Sequence, residues 1–204
     1  MSAGPLPRLV LAGTVLAGAL AACALMSPAR LESTKAVLNK LPAQLPQPAT
    51  RAASVLVFAP ETQPVYDTTQ MAYTTQAYQV AYFSRHEWAE TPSQMVQPLL
   101  VSTLRRTGAF SAVLVPPHAG RVSYALRSEI VELVQDFMTR PPTLRLGLHV
   151  ELRDDASGRV VASKDIVLRE PMQQPTPEAG VAAANEALSK ALQELVRFVL
   201  DKAG

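Results

Sequence analysis

The sequence predicts an α+β fold, a two-layer sandwich in which a mixed or mainly antiparallel sheet carries two helices on one face. Three observations lead there. Leu144, Leu146, Leu148, Val150 and Leu152 alternate without a break against Arg145, Gly147, His149, Glu151 and Arg153, the pattern of a strand with one buried face. Val181, Ala184, Leu188, Ala191, Leu192, Leu195 and Val199 recur at helical spacing against Glu186, Lys190, Glu194 and Arg197. Along the chain the elements read strand, aromatic hairpin, helix, four strands, helix, and two helices so placed can both cover one face of the sheet.

The chain opens with a segment that is not part of that fold. Arg8 is followed by Leu9 to Ala19, an uncharged run that is too short to span a bilayer and has the make-up of a signal-peptide core. Leu20, Ala21, Ala22 and Cys23 then resemble the bacterial lipobox, in which an apolar residue and two small ones precede the cysteine that receives lipid. Residues 1–22 are therefore read as a removable signal and Cys23 as the lipidation site. Cys23 is the only cysteine, so the body is expected to have neither disulfide nor thiol nucleophile. Each buried methylene contributes roughly 0.8 kcal/mol, and one acyl chain holds a protein only marginally, so stable attachment takes two or three. Position 24 is Ala rather than Asp, which by the usual lipoprotein sorting rule points to the outer membrane, facing the periplasm.

Residues 23–51 are read as the lipidated cysteine and a tether, because Pro28, Pro42, Pro46 and Pro48 interrupt any period. Leu31, Val37, Leu38 and Leu41 leave room for one short amphipathic helix. The domain proper is assigned to 52–204. It begins with Ser54 to Phe58, an apolar run that reads as a buried strand. Tyr66, Tyr73, Tyr78, Tyr82, Phe83 and Trp88 follow closely, and short hairpin strands are expected at Met71 to Tyr73 and Tyr78 to Phe83.

Thr91, Pro92, Ser93 and Gln94 form a capping-box start with proline at the first helical position, and Met95, Val96, Leu99, Leu100 and Leu104 give the helix its apolar stripe. Pro98 should kink it or delay its regular part, and Gly108 supplies the left-handed stop. Strands are expected at Ala112 to Val115 and at Tyr124 to Val134, where Tyr124, Leu126, Ser128 and Ile130 share a face and alternation fades beyond Ile130. Asp154 to Gly158 turns the chain into a returning strand, Val160 to Leu168, and Thr176 with Pro177 starts the last helix.

The totals fit one domain of ordinary size: 204 residues, 48% apolar and 18% charged. The net charge of +2 falls to +1 once Arg8 leaves with the signal, and no basic run exceeds Arg105 and Arg106, so there is no electrostatic footprint for nucleic acid. Residues at the spacing of a nucleophile and base, a carboxylate pair or a metal site are not found. His86, His118 and His149 are scattered, and Asp154 with Asp155 sits in a turn that favours Asp for local reasons. The expectation is a non-enzyme with no catalytic residue, no metal and no cofactor. What remains is the aromatic segment. Tyr66, Tyr73, Tyr78, Tyr82 and Trp88 offer stiff amphipathic area suited to a protein partner or to an acyl chain, although Met71, Tyr82 and Trp88 can equally fill space beside the first helix.

Val57, Pro60, the run Val65 to Thr68, Met71, Tyr73, Val80, Tyr82, Trp88, Ala89, Pro92, Met95, Leu99, Gly108 and Phe110 together resemble the ABC-type transport auxiliary lipoproteins, the group that includes PqiC. The resemblance covers roughly residues 52–200. It implies a periplasmic accessory subunit working with an MCE-domain protein and ABC transporter subunits to move lipids or other hydrophobic molecules, with palmitate among the anchor chains and homo-oligomers compatible with the family. It brings no catalytic residues. The short aromatic strand that members carry soon after the cysteine has no counterpart in this sequence. The alternative is a structural or assembly lipoprotein of another envelope complex, since fold alone does not fix function.

Overall fold

The computed structural model describes residues 33–203, so the signal segment and Cys23 lie outside the described residues. The elements are β1 (Thr34–Ala36), β2 (Arg51–Val57), β3 (Glu61–Thr62), β4 (Gln70–Thr74), β5 (Ala81–Trp88), α1 (Pro92–Arg106), β6 (Phe110–Leu114), β7 (Tyr124–Asp136), β8 (Thr143–Asp154), β9 (Val160–Pro171) and α2 (Pro177–Lys202). The α+β class holds, with one nine-stranded mixed sheet and both helices packed on it and on each other.

β7 organises that sheet. One of its edges is paired along its length with antiparallel β8, which in turn pairs with antiparallel β9. Its other edge is shared by three parallel partners in succession: β2 at Tyr124 to Leu126, β3 at Glu129 and Ile130, and β4 at Gln135 and Asp136. Beyond β2 lies parallel β6, and beyond β4 lie antiparallel β5 and then parallel β1. The pairing of β7 with β8 shifts between Ile130 and Glu132, and this bulge explains why the alternation fades there: it re-phases the strand so that Leu133 and Gln135 face the core after Leu126, Ser128 and Ile130 do.

The helices start as their caps predict. The Thr91 amide donates to Gln94 Oε1 at 3.0 Å, and Thr176 Oγ1 accepts from the Ala179 amide at 3.3 Å. Pro98 lies inside α1, which nonetheless stays helical through it, and Gly108 follows with φ 63°. α2 buries Ala183, Ala184, Ala187, Leu188, Ala191, Leu192, Leu195, Val196 and Val199 against Leu144, Leu148, Val150, Leu152 and Ile166 of the sheet. Each fully buried Leu or Ile contributes roughly 1.5–3 kcal/mol, and the alanines let helix and sheet approach closely.

The expected short helix around Val37, Leu38 and Leu41 is replaced by an extended path. Thr34 to Ala36 pair with His86 to Trp88, and the Ala89 amide donates to the Ala36 carbonyl at 2.7 Å. Leu38 is buried in the common core. Asn185 Oδ1 accepts from the Asn39 and Lys40 amides at 2.9 and 3.1 Å, while its Nδ2 donates to the Val37 carbonyl at 3.0 Å. Gln193 donates to the Gln44 carbonyl and Arg106 to that of Pro42, so residues 34–50 run across both helices. A helix loses here because these backbone groups are bonded to side chains of α2 rather than to one another.

Candidate functional site

The aromatic segment folds as the β4–β5 hairpin and its approaches. Strand alternation sends its side chains two ways. Tyr73 points to the helix side with Met71 and stacks on Phe83, ring centroids 4.4 Å apart, while Phe137 meets Tyr73 edge-on at 6.2 Å and Phe83 at 6.3 Å. His86 closes the group, 6.1 Å from Phe83 and with Nδ1 3.4 Å from Glu178 at the start of α2. Rings held edge-to-face in this way form a stiff, half-buried wall.

Tyr82 emerges on the opposite, helix-free side, where it is 37% exposed and donates its hydroxyl to the Val65 carbonyl at 2.8 Å. Tyr66 is beside it, half-buried among Glu132 and Arg145. Burial, and after it the Glu132 charge, holds the Tyr66 hydroxyl above the ordinary tyrosine range. Arg145 bridges Glu132 at 2.9 Å and Asp136 at 3.6 Å. Farther along the same face His149 meets Asp165 at 2.5 Å and Arg127 lies 4.2 Å from the Phe58 ring. The helix-free face is thus a charge-paired surface with Tyr66 and Tyr82 at one end.

The five aromatic candidates therefore divide. Tyr66 and Tyr82 share the helix-free face, and Tyr73 belongs to the ring cluster on the helix side. Tyr78 stands at the hairpin tip, fully exposed, with φ 64°. Trp88 is 3% exposed and packs in the core, with its amide donating to the Thr69 carbonyl at 2.7 Å. Phe137 and Met138, from the β7–β8 connection, complete this end of the molecule. They are 55 or more residues from the hairpin tyrosines Tyr66 to Tyr82, so no local pattern connects them.

Among the described residues no group of three or more His, Cys, Asp or Glu is placed to hold a metal. No helix among them is long and apolar enough to cross a membrane. His118 sits on the exposed loop before β7, far in sequence from His86 and His149, which each face a single carboxylate.

A family described as the ABC-type transport auxiliary lipoprotein component matches residues 37–196. No curated protein matches the chain. Among solved structures, protein XCC0632 from Xanthomonas campestris is similar with a TM-score of 0.74 at 21% identity, over 83% of this chain and 96% of that one. An uncharacterized protein gives 0.66 at 11% identity, over 82% and 99%. The hypothetical protein CT253 from Chlamydia trachomatis gives 0.50 at 7% identity, over 74% and 98%. At these identities the likeness is one of fold.

Proposed function

Because the chain belongs to the family of ABC-type transport auxiliary lipoprotein components, we propose that it is the non-catalytic accessory subunit of an MCE-type ABC transport system for lipids or other hydrophobic molecules, serving cell-envelope integrity. The observation that carries this reading is the extent of the family match, which takes in nearly all of the packed body from Val37 to Val196. In this reading acyl chains on Cys23, palmitate among them, attach the body to the outer membrane, and Ala24 at the sorting position supports that membrane over the inner one. The domain then faces the periplasm. Its partners are the MCE-domain protein and, through it, the transporter.

The face offered to the MCE-domain protein is the helix-free surface at Tyr66 and Tyr82, where large amphipathic rings adjoin paired charges, the mixture that protein interfaces favour. Self-association belongs to the same reading. β9 pairs only with β8 among the described residues and leaves a twelve-residue edge, the kind of edge that another strand can extend.

Affinity capture of an MCE-domain protein from the same cells by the full lipoprotein tests the proposal. Tyr82→Ala removes one exposed ring and one hydrogen bond, so the fold should survive. Truncating a central interface tyrosine costs about 1.4 kcal/mol or more, a loss of roughly tenfold in capture. Failure of the unaltered protein to capture the MCE-domain protein overturns the function, whereas unchanged capture by Tyr82→Ala and Tyr66→Ala overturns only the face.

A further inference from the structure

We infer that the β4–β5 tip, Tyr78 and Val80 together with neighbouring Met138, sits in the headgroup layer of the phospholipid bilayer that holds the anchor. The inference rests on the lipid-anchor reading of Cys23 and adds to it an orientation and a second point of membrane contact.

The composition of the tip is the first argument. From Thr68 to Ser84 the chain carries no charged residue. At its apex Tyr78 is fully exposed, Val80 is 40% exposed and Met138 is 52% exposed. Met138 belongs to the same end, because its Sδ lies 4.0 Å from Thr74 Oγ1 and the Phe137 amide donates to the Thr74 carbonyl at 2.9 Å. A tyrosine ring with an apolar body and a polar hydroxyl suits the zone between water and acyl chains. Tyr78 also adopts φ 64°, a region that bulky residues avoid and glycine fills readily. The turn thus presents a large ring where a small residue would be less strained.

The path of the chain is the second argument, and it is independent of composition. β1 runs parallel to β5 with Thr34 against His86, so the polypeptide enters β1 from the side of Ala81 and the tip. Thr34 lies eleven residue steps beyond Cys23, an extended reach of at most about 36–40 Å. From the level of His86 the strand runs five residues back to Ala81, roughly 17 Å, and the three residues on to Tyr78 add at most about 11 Å, a distance the reach covers. The other end of the sheet offers the opposite case. The turn after β8 carries Asp154, Asp155 and Arg159, and to place it at the membrane the chain would have to reverse and run back along β7, whose thirteen residues span roughly 43 Å. Direction, reach and charge all favour the Tyr78 end.

The test uses the full acylated protein, reconstituted in vesicles of phosphatidylethanolamine and phosphatidylglycerol. Acylation occupies the thiol of Cys23, so a cysteine introduced by Gln79→Cys or, at the far turn, Ser157→Cys is the only one that takes a nitroxide label. The label at 79 should be severalfold more accessible to oxygen, relative to a water-soluble nickel chelate, than the label at 157. Tyr78→Asp with Val80→Asp should return the label at 79 to water while the protein still floats with the vesicles. If both labels read as aqueous on vesicle-bound protein, or the label at 79 becomes shielded only when a partner protein is added, the tip does not meet lipid and the anchor reading stands. If the unaltered protein does not float with the vesicles at all, both readings fall.

Discussion

Gln135 lies in the core with Nε2 3.3 Å from the Pro177 carbonyl, and its Oε1 has no hydrogen-bond partner. Gly180, one turn into α2, is what gives this side chain room, since a Cβ there would come within 2.0 Å of Gln135 Cδ and 2.2 Å of Oε1. Two effects oppose each other in Gly180→Ala. Helix propensity favours alanine by about 1 kcal/mol. Displacing a buried amide costs about 1–3 kcal/mol for the overlap and about 0.5–1.5 kcal/mol for the lost bond. The cost exceeds the gain, so Gly180→Ala should lower stability by roughly 1–3 kcal/mol in urea unfolding. In a Gln135→Ala background the overlap disappears and the same substitution should become neutral or stabilising. A destabilisation of equal size in both backgrounds would show that the glycine answers to something other than Gln135.

At the scale of elements, α1 invites the opposite kind of change. Pro98 is exposed and removes the amide that would bond to the Gln94 carbonyl, yet α1 continues through it. Pro98→Ala should stabilise the domain by about 1–3 kcal/mol, several degrees in thermal unfolding for a chain of this size; an unchanged or lower melting temperature refutes this. Proline, caps and stripe were all legible in the sequence, as was α2, because long periodic elements repeat their signal over many residues. β1 and β3 were not. A strand of three residues and one of two have no period, and their pairing to β5 and β7 depends on residues far along the chain. The site shows the same division. The density of aromatics from Tyr66 to Trp88 was visible, but strand alternation places Tyr73 and Tyr82 on opposite sides, the core takes Trp88, and Phe137 joins from 64 residues beyond Tyr73.

For the molecule as a whole, β7 is the strand through which every other part of the sheet is connected, directly or by one or two intermediaries. β8 covers one of its edges while β2, β3 and β4 divide the other, so the two sides of the sheet cannot separate without breaking bonds to β7. The body should therefore unfold as one unit, with the segment from Val37 to Lys40 the exception, because three backbone hydrogen bonds to the Asn185 side chain, two accepted by its Oδ1 and one donated by its Nδ2, hold it to α2. β1 immediately precedes that segment, so a pull from the N-terminal side meets the pairing of β1 with β5 before it meets this clamp. Native-state hydrogen exchange separates the two behaviours. Ile130→Ala, in the middle of β7 and fully buried, should cost about 2–5 kcal/mol and speed exchange in β2, β8 and α2 by the same factor. Asn185→Ala should speed exchange at the Asn39 and Lys40 amides while leaving the slowest amides of β7 and β8 nearly unchanged. Were Ile130→Ala to expose β2 and β6 yet leave the β8–β9 hairpin protected, the sheet would consist of two independent halves, and β7 would be a border between them rather than their common support.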